Sequence, residues 1–177
     1  SEVEKIKRDL EEIIRRWEED IKRVKKRLDE EIRRWEEESK KVKKKLEDLI
    51  RRLEKEVADG RSEEDLKRLL KKLREELEKI ERDDRRIAER VKRRLDEIRR
   101  RDEDIKKKLE DRLRELRERG VDEKILEDAR REAERLHKTS KDVLKKVEDL
   151  LRRVNEHSRR VLEEAERRIR DVAEKTR

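Results

Sequence analysis

WEEDIKRVKKRLDEEIRRW, residues 17–35, is the stretch that decides the fold. Its apolar residues are Trp17, Ile21, Val24, Leu28, Ile32 and Trp35, and every residue between them is charged. Steps of three and four residues put all six side chains on one face of an α-helix. A half-buried strand would instead need strict alternation, which is absent. Trp17 and Trp35 are 18 residues apart. At 3.6 residues per turn that is a whole number of turns, so the apolar face returns to its starting angle without drift.

The same stripe extends in both directions, through Val3, Ile6, Leu10 and Ile13 on one side and Ser39, Val42, Leu46, Leu49, Leu53 and Val57 on the other. Its mean step is about 3.6 residues, whereas a 3.5-residue step would impose a left-handed supercoil, so the spacing predicts helices with almost no superhelical twist. The 18-residue repeat shows as Leu10, Leu28 and Leu46, then as Leu73, Val91 and Leu109, and again as Leu136, Val154 and Val172. Only Asp59-Gly60-Arg61-Ser62 and Arg119-Gly120-Val121-Asp122 interrupt it. Each interruption supplies a glycine for a left-handed helix end and then a capping residue, Ser62 or Asp122. Glu64, Asp65 and Glu123 add negative charge in the following first turns, where backbone N–H groups are unpaired. The chain is therefore expected to hold three helices, at about 2–58, 62–118 and 122–176, in one domain over residues 1–177. Each would be about 85 Å long at 1.5 Å per residue. Short connections make neighbours antiparallel. The expected fold class is all-α: a long, untwisted, up-down-up three-helix bundle with an 18-residue core repeat.

Composition alone points elsewhere, because 64% of residues are charged and 29% hydrophobic, which would ordinarily favour disorder. Periodicity overrides that reading, and the 61 basic and 53 acidic residues are interspersed, leaving a net charge of only +8. Runs such as Lys43-Lys44-Lys45 and Arg99-Arg100-Arg101 share their faces with Asp and Glu, so no specific nucleic-acid partner is expected. The apolar stripes are consumed by one another, which disfavours membrane adsorption. No apolar run is long enough for a signal peptide or a membrane span, so a soluble, untargeted chain is expected. Without cysteine there is no thiol chemistry and no cysteine-ligated zinc. No cofactor is expected, and a monomer is expected ahead of a homo-oligomer.

The informative residues are polar ones standing where the pattern demands apolar ones. Asp84 and Asp102 continue the stripe begun by Leu66. Burying an unpaired polar group there would cost about 2–7 kcal/mol, so partners are required. Antiparallel pairing through the first turn levels residues whose numbers add to about 119, which sets Trp17 beside Asp102 and Trp35 beside Asp84. Through the second turn the total is near 240, which sets His137 and Ser140 beside Asp102 and Asn155 and Ser158 beside Asp84. Two polar layers are expected. The first is Trp17, Asp102, His137 and Ser140 with Thr139; the second is Trp35, Asp84, Asn155 and Ser158 with Ser39 and His157. Indole N–H and hydroxyl groups donate to carboxylate oxygens, and a slipped register would leave each Asp against aliphatic side chains.

Two glycine turns, a common 18-residue phase and polar layers in the core together resemble computationally designed helical bundles with buried hydrogen-bond networks, over the whole chain. The resemblance implies high thermal stability and use as a scaffold, with no natural substrate. Asp at a layer centre is a harsher choice than the Ser, Asn and Gln more usual in that family. Ser140, His137 and Asp102 contain the residue types of a hydrolase triad, but no glycine-rich oxyanion loop or cleft-forming insertion accompanies them, so an enzyme is not expected. His137 and His157 are about 30 Å apart along one helix, too far to share a metal. His137 beside Asp102 would make its layer pH-responsive, since imidazole changes charge between about pH 5 and 8. The apolar stripe of helix 3 is wider than the other two, with Leu126, Leu144 and Leu162 on one edge and Ile125, Val143 and Val161 on the other. Self-association or docking of another helix through that face is the alternative to a bare scaffold.

Overall fold

The structure, a computed structural model, describes residues 1–60 and 62–175. Three α-helices account for nearly all of them: α1 Glu2–Ala58, α2 Glu63–Glu118 and α3 Glu123–Lys175. No strand occurs among the described residues. Ser62 and Asp122 stand just outside α2 and α3 as caps, and the expected end of the third helix at 176 lies outside the described residues.

Capping chemistry explains where the helices stop. At the second turn the Gly120 N–H reaches the Arg117 carbonyl at 3.1 Å and the Val121 N–H reaches the Leu116 carbonyl at 3.1 Å, which pairs two carbonyls that the helix itself leaves open. That geometry requires a left-handed residue, and Gly120 has φ 74°. Gly60 has φ 68° and donates to the Val57 carbonyl at 3.2 Å. At the start of α2 the Asp65 N–H donates to Ser62 Oγ at 3.4 Å, while the Ser62 hydroxyl donates to the Asp65 carboxylate at 3.0 Å. Asp122 receives the Lys124 N–H at 3.4 Å.

The residues pack into two compact units, one made of Ser1–Glu30 and Lys92–Asp149, the other of Glu31–Val91 and Leu150–Arg177. Each unit contains a segment of all three helices. In the first unit Leu10, Trp17 and Leu28 of α1, Leu109, Leu113 and Leu116 of α2, and Leu126, Leu136 and Val147 of α3 are buried. In the second, Leu46, Ile50 and Leu53 of α1 meet Leu73, Leu77 and Ile80 of α2 and Ala165 and Val172 of α3 in one apolar cluster. Full burial of a leucine stabilises by about 1.5–3 kcal/mol, so these positions carry the fold. All nine positions of the three repeat series quoted above are buried, which gives the 18-residue period its physical meaning.

Polar contacts between helices fix their directions. In the first unit Glu2–Arg119 at 2.5 Å and Asp9–Arg112 at 3.1 Å join α1 to an antiparallel α2, and Arg99–Glu148 at 2.6 Å joins α2 to an antiparallel α3. Glu18–Arg135 at 3.4 Å then joins the parallel pair α1 and α3. The second unit has the same arrangement, with Lys45–Glu76 at 2.9 Å, Asp84 against His157, and Glu36–Arg153 at 3.0 Å. Apart from the buried Asp84–His157 contact, these ion pairs are largely exposed and contribute only about 0–1 kcal/mol each; their effect is on orientation.

Candidate functional site

Asp102 of α2 is the centre of the polar group in the first unit. Trp17 Nε1 of α1 donates to its Oδ1 at 3.2 Å, and the Ser140 hydroxyl of α3 donates to its Oδ2. One carboxylate thus uses each oxygen for a different neighbouring helix. Trp17 and Ser140 are each 2% exposed, while Asp102 is half-buried. An indole and a hydroxyl hidden from water both need partners, and the carboxylate supplies them. A cavity of about 20 Å³ lies beside this group, lined by Trp17, Ile98, Asp102 and Ser140 among others. That is room for one water molecule.

His137 and Thr139 do not join the group as expected. Thr139 Oγ1 donates to the Arg135 carbonyl of its own helix at 3.0 Å, the usual outlet for a short side chain that cannot reach the next helix. His137 is half-buried, and its Nδ1 is enclosed without a hydrogen-bond partner. Asp102 is therefore held by the serine and the tryptophan, without the histidine.

The second unit uses the same residue types differently. Asp84 is buried, and His157 Nδ1 lies 3.3 Å from its Oδ2. The Trp35 and His157 rings meet edge to face, with centroids 5.5 Å apart and planes at 83°. Arg153 places its guanidinium 5.5 Å from the Trp35 ring centre while pairing with Glu36 at 3.0 Å, a cation held over an aromatic face. Trp35 Nε1 is enclosed and has no partner, so this indole does not donate to Asp84. Asn155, expected here, is exposed. It follows the fully buried Val154, and one residue is about 100° around a helix, which turns it outward. Ser158 and Ser39 are half-buried, and neither bonds to Asp84 among the described residues. The longer His157 side chain spans the gap that the Ser158 hydroxyl does not.

The arrangement restricts the chemistry. Activation of a serine needs its hydroxyl to donate to a base that a third group orients. Ser140 donates to Asp102 instead, and His137 Nδ1 touches neither. Among the described residues no set of three His, Asp or Glu side chains converges as metal ligands, and no helix is long and apolar enough to cross a membrane. The wide stripe of α3 is mostly covered: Leu126 and Val143 are buried, Leu144, Val161 and Leu162 are half-buried, and Ile125 is 42% exposed.

Two features lay beyond the sequence reading. One is the cation over Trp35. The other is an offset shared by two of the α1–α3 ion pairs: Glu18–Arg135 and Glu36–Arg153 are each separated by 117 residues, while Glu54–Arg168 is separated by 114. The 18-residue repeat, applied to charged residues as well as apolar ones, would have located both pairs.

The chain is similar to a computationally designed three-helix bundle. The two are 20% identical over 98% of this chain and 83% of that one, with a TM-score of 0.44. No protein family and no curated protein matches the chain.

Proposed function

We propose that the chain is a designed structural scaffold without natural biochemical activity, in which carboxylates between the helices, Asp84 and Asp102, fix the register. The observation that carries this reading is Asp102, whose two oxygens are shared between a donor from α1 and a donor from α3. A slip of either neighbour by one turn removes a donor and leaves a carboxylate facing aliphatic side chains, at a cost of a few kcal/mol. Asp84 acts likewise through His157. A designed origin is supported by the absence of six residue types (Pro, Cys, Met, Tyr, Phe and Gln), by two glycines used only at the two turns, and by one repeat length in all three helices.

Register can be read by thiol cross-linking. Cysteines replacing Asp9 and Arg112, whose side chains meet across α1 and α2, should be joined readily by a short bis-methanethiosulfonate reagent in the parent sequence. A pair displaced by one turn, Ile13→Cys with Arg112→Cys, should be joined less readily. Replacing Asp84 and Asp102 together by Leu should raise cross-linking of the displaced pair. If that replacement leaves the preference between the two pairs unchanged, the carboxylates do not set the register.

A further inference from the structure

The first unit carries a groove between α1 and α2 that the register argument does not use. Its volume is about 520 Å³, within the range of small-molecule sites. The floor is apolar, from Ile13, Trp17, Val24 and Ile105. The rim is cationic: Arg16, Arg23, Arg27, Arg101 and Lys108 line it, against one carboxylate, Asp20. Two of these cations are engaged, Arg16 with Glu12 at 2.9 Å and Arg23 with Glu19 and Asp20 at 4.0 Å. Arg27, Arg101 and Lys108 are exposed and form no ion pair among the described residues.

Charge sets this groove apart from the cavities of the second unit. Along α2 and α3 a groove of about 470 Å³ mixes Arg74 and Arg170 with Glu78, Glu81 and Glu166. A third, of about 240 Å³ beside Trp35, mixes Arg34 and Arg90 with Glu31 and Glu38. The difference lies in the sequence. Eighteen residues on from Ile13 of the floor stands Glu31, and eighteen before Arg101 of the rim stands Asp83, so an apolar and a basic position of the first groove are both acidic one repeat away.

We propose that the α1–α2 groove of the first unit binds a small amphipathic organic anion: an aromatic or aliphatic body against Trp17, Val24 and Ile105, with a sulfonate, carboxylate or phosphate among Arg27, Arg101 and Lys108. The apolar floor supplies area and the unpaired cations select the sign of the headgroup, each being free to engage without first breaking an internal pair.

The probe is 8-anilinonaphthalene-1-sulfonate, titrated into a Trp35→Phe variant so that Trp17 is the only tryptophan. Saturable one-to-one binding is expected, with quenching of Trp17 by transfer to the dye. Binding should weaken at least about tenfold in the variant Arg101→Glu with Lys108→Glu, and N-phenyl-1-naphthylamine, the same rings without the sulfonate, should bind at least about tenfold more weakly to the unaltered groove. Arg74→Glu with Arg170→Glu, at the mixed groove, should leave affinity unchanged. The proposal is overturned by non-saturable binding, by equal affinity for the two dyes, or by equal effects of the two double substitutions. The neutral dye needs no altered rim residue, so the test holds even if a variant folds poorly.

Discussion

Ser140→Ala removes one of the two donors to Asp102, and Ser158→Ala removes the serine 18 residues further along α3. The two serines are equivalent in the repeat and unlike in space. Ser140 is 2% exposed and bonds to the carboxylate, while Ser158 is half-buried and bonds to no carboxylate among the described residues. A hydrogen bond to a charged group is worth about 1.5–3 kcal/mol. The 20 Å³ cavity beside Asp102 can admit a water that replaces part of this, so the lower end, about 1.5–2 kcal/mol, is expected. Ser158→Ala should cost less than about 0.5 kcal/mol. Alanine's higher helix propensity favours both variants equally and cancels in the comparison. In guanidinium chloride, with a slope of about 4 kcal/mol per M for a chain of this size, Ser140→Ala should lower the unfolding midpoint by about 0.4–0.5 M and Ser158→Ala by about 0.1 M or less. Equal shifts for the two variants would refute the assignment of Ser140 as the donor that secures α3.

Three further outcomes follow from the geometry. Trp17→Phe breaks the bond to Asp102, whereas Trp35→Phe removes an indole N–H that has no partner, so the first should be the more destabilising by about 1 kcal/mol in the same denaturation assay. A larger cost for Trp35→Phe would contradict the pairing. Gly120→Ala should cost about 1–2 kcal/mol, because φ of 74° is strained for any residue with a Cβ even though nothing lies within 4 Å of the added atom; an unchanged thermal midpoint would count against this. The Arg135 guanidinium beside Glu132 holds that carboxyl below the ordinary glutamate range, chiefly through its hydrogen bond; partial burial opposes this, and the attraction of the guanidinium charge adds the smallest contribution. Since the folded value is the lower one, the pair stabilises the chain above the unfolded glutamate pKa, and the contribution is lost as pH falls through the folded value. Carbon-detected NMR titration should give a Glu132 midpoint below that of an unpaired glutamate, returning upward in Arg135→Gln; a midpoint that does not move in Arg135→Gln would remove the effect.

The helices and turns are legible in the sequence because their causes are local. Gly60 and Gly120 are where a left-handed residue is needed, Ser62 and Asp122 where open N–H groups need an acceptor, and a stripe with a step of 3.6 residues names the buried face. Pairing by residue number, which needs only the turn positions and an antiparallel course, brings Trp17, Asp102 and Ser140 to one height. Height does not determine contact. Which side chain at a given level touches the carboxylate depends on its reach and on its angle about the helix axis, and these distinguish His157 from Ser158 and turn Asn155 to solvent. Treating the two Asp residues as copies of one design also hides the difference between them, since the repeat matches His137 to Asn155 and Thr139 to His157. Division of the packing into two units has no signature in a stripe that runs unbroken through both.

The empty space around the two glycines bears on what the chain could be made to carry. No atom lies within 4 Å of where a Cβ would sit at Gly60 or Gly120, so the tips are held by backbone angle and capping bonds and are not wedged against a neighbour. Chain added beyond Val121, after the capping bonds have closed, would pay only loop-closure entropy, which grows logarithmically at about 0.6 kcal/mol per doubling of length. A peptide epitope or a small folded domain could be spliced between Val121 and Asp122 and presented at the head of two helices, with its length chosen by the experimenter and not by the host.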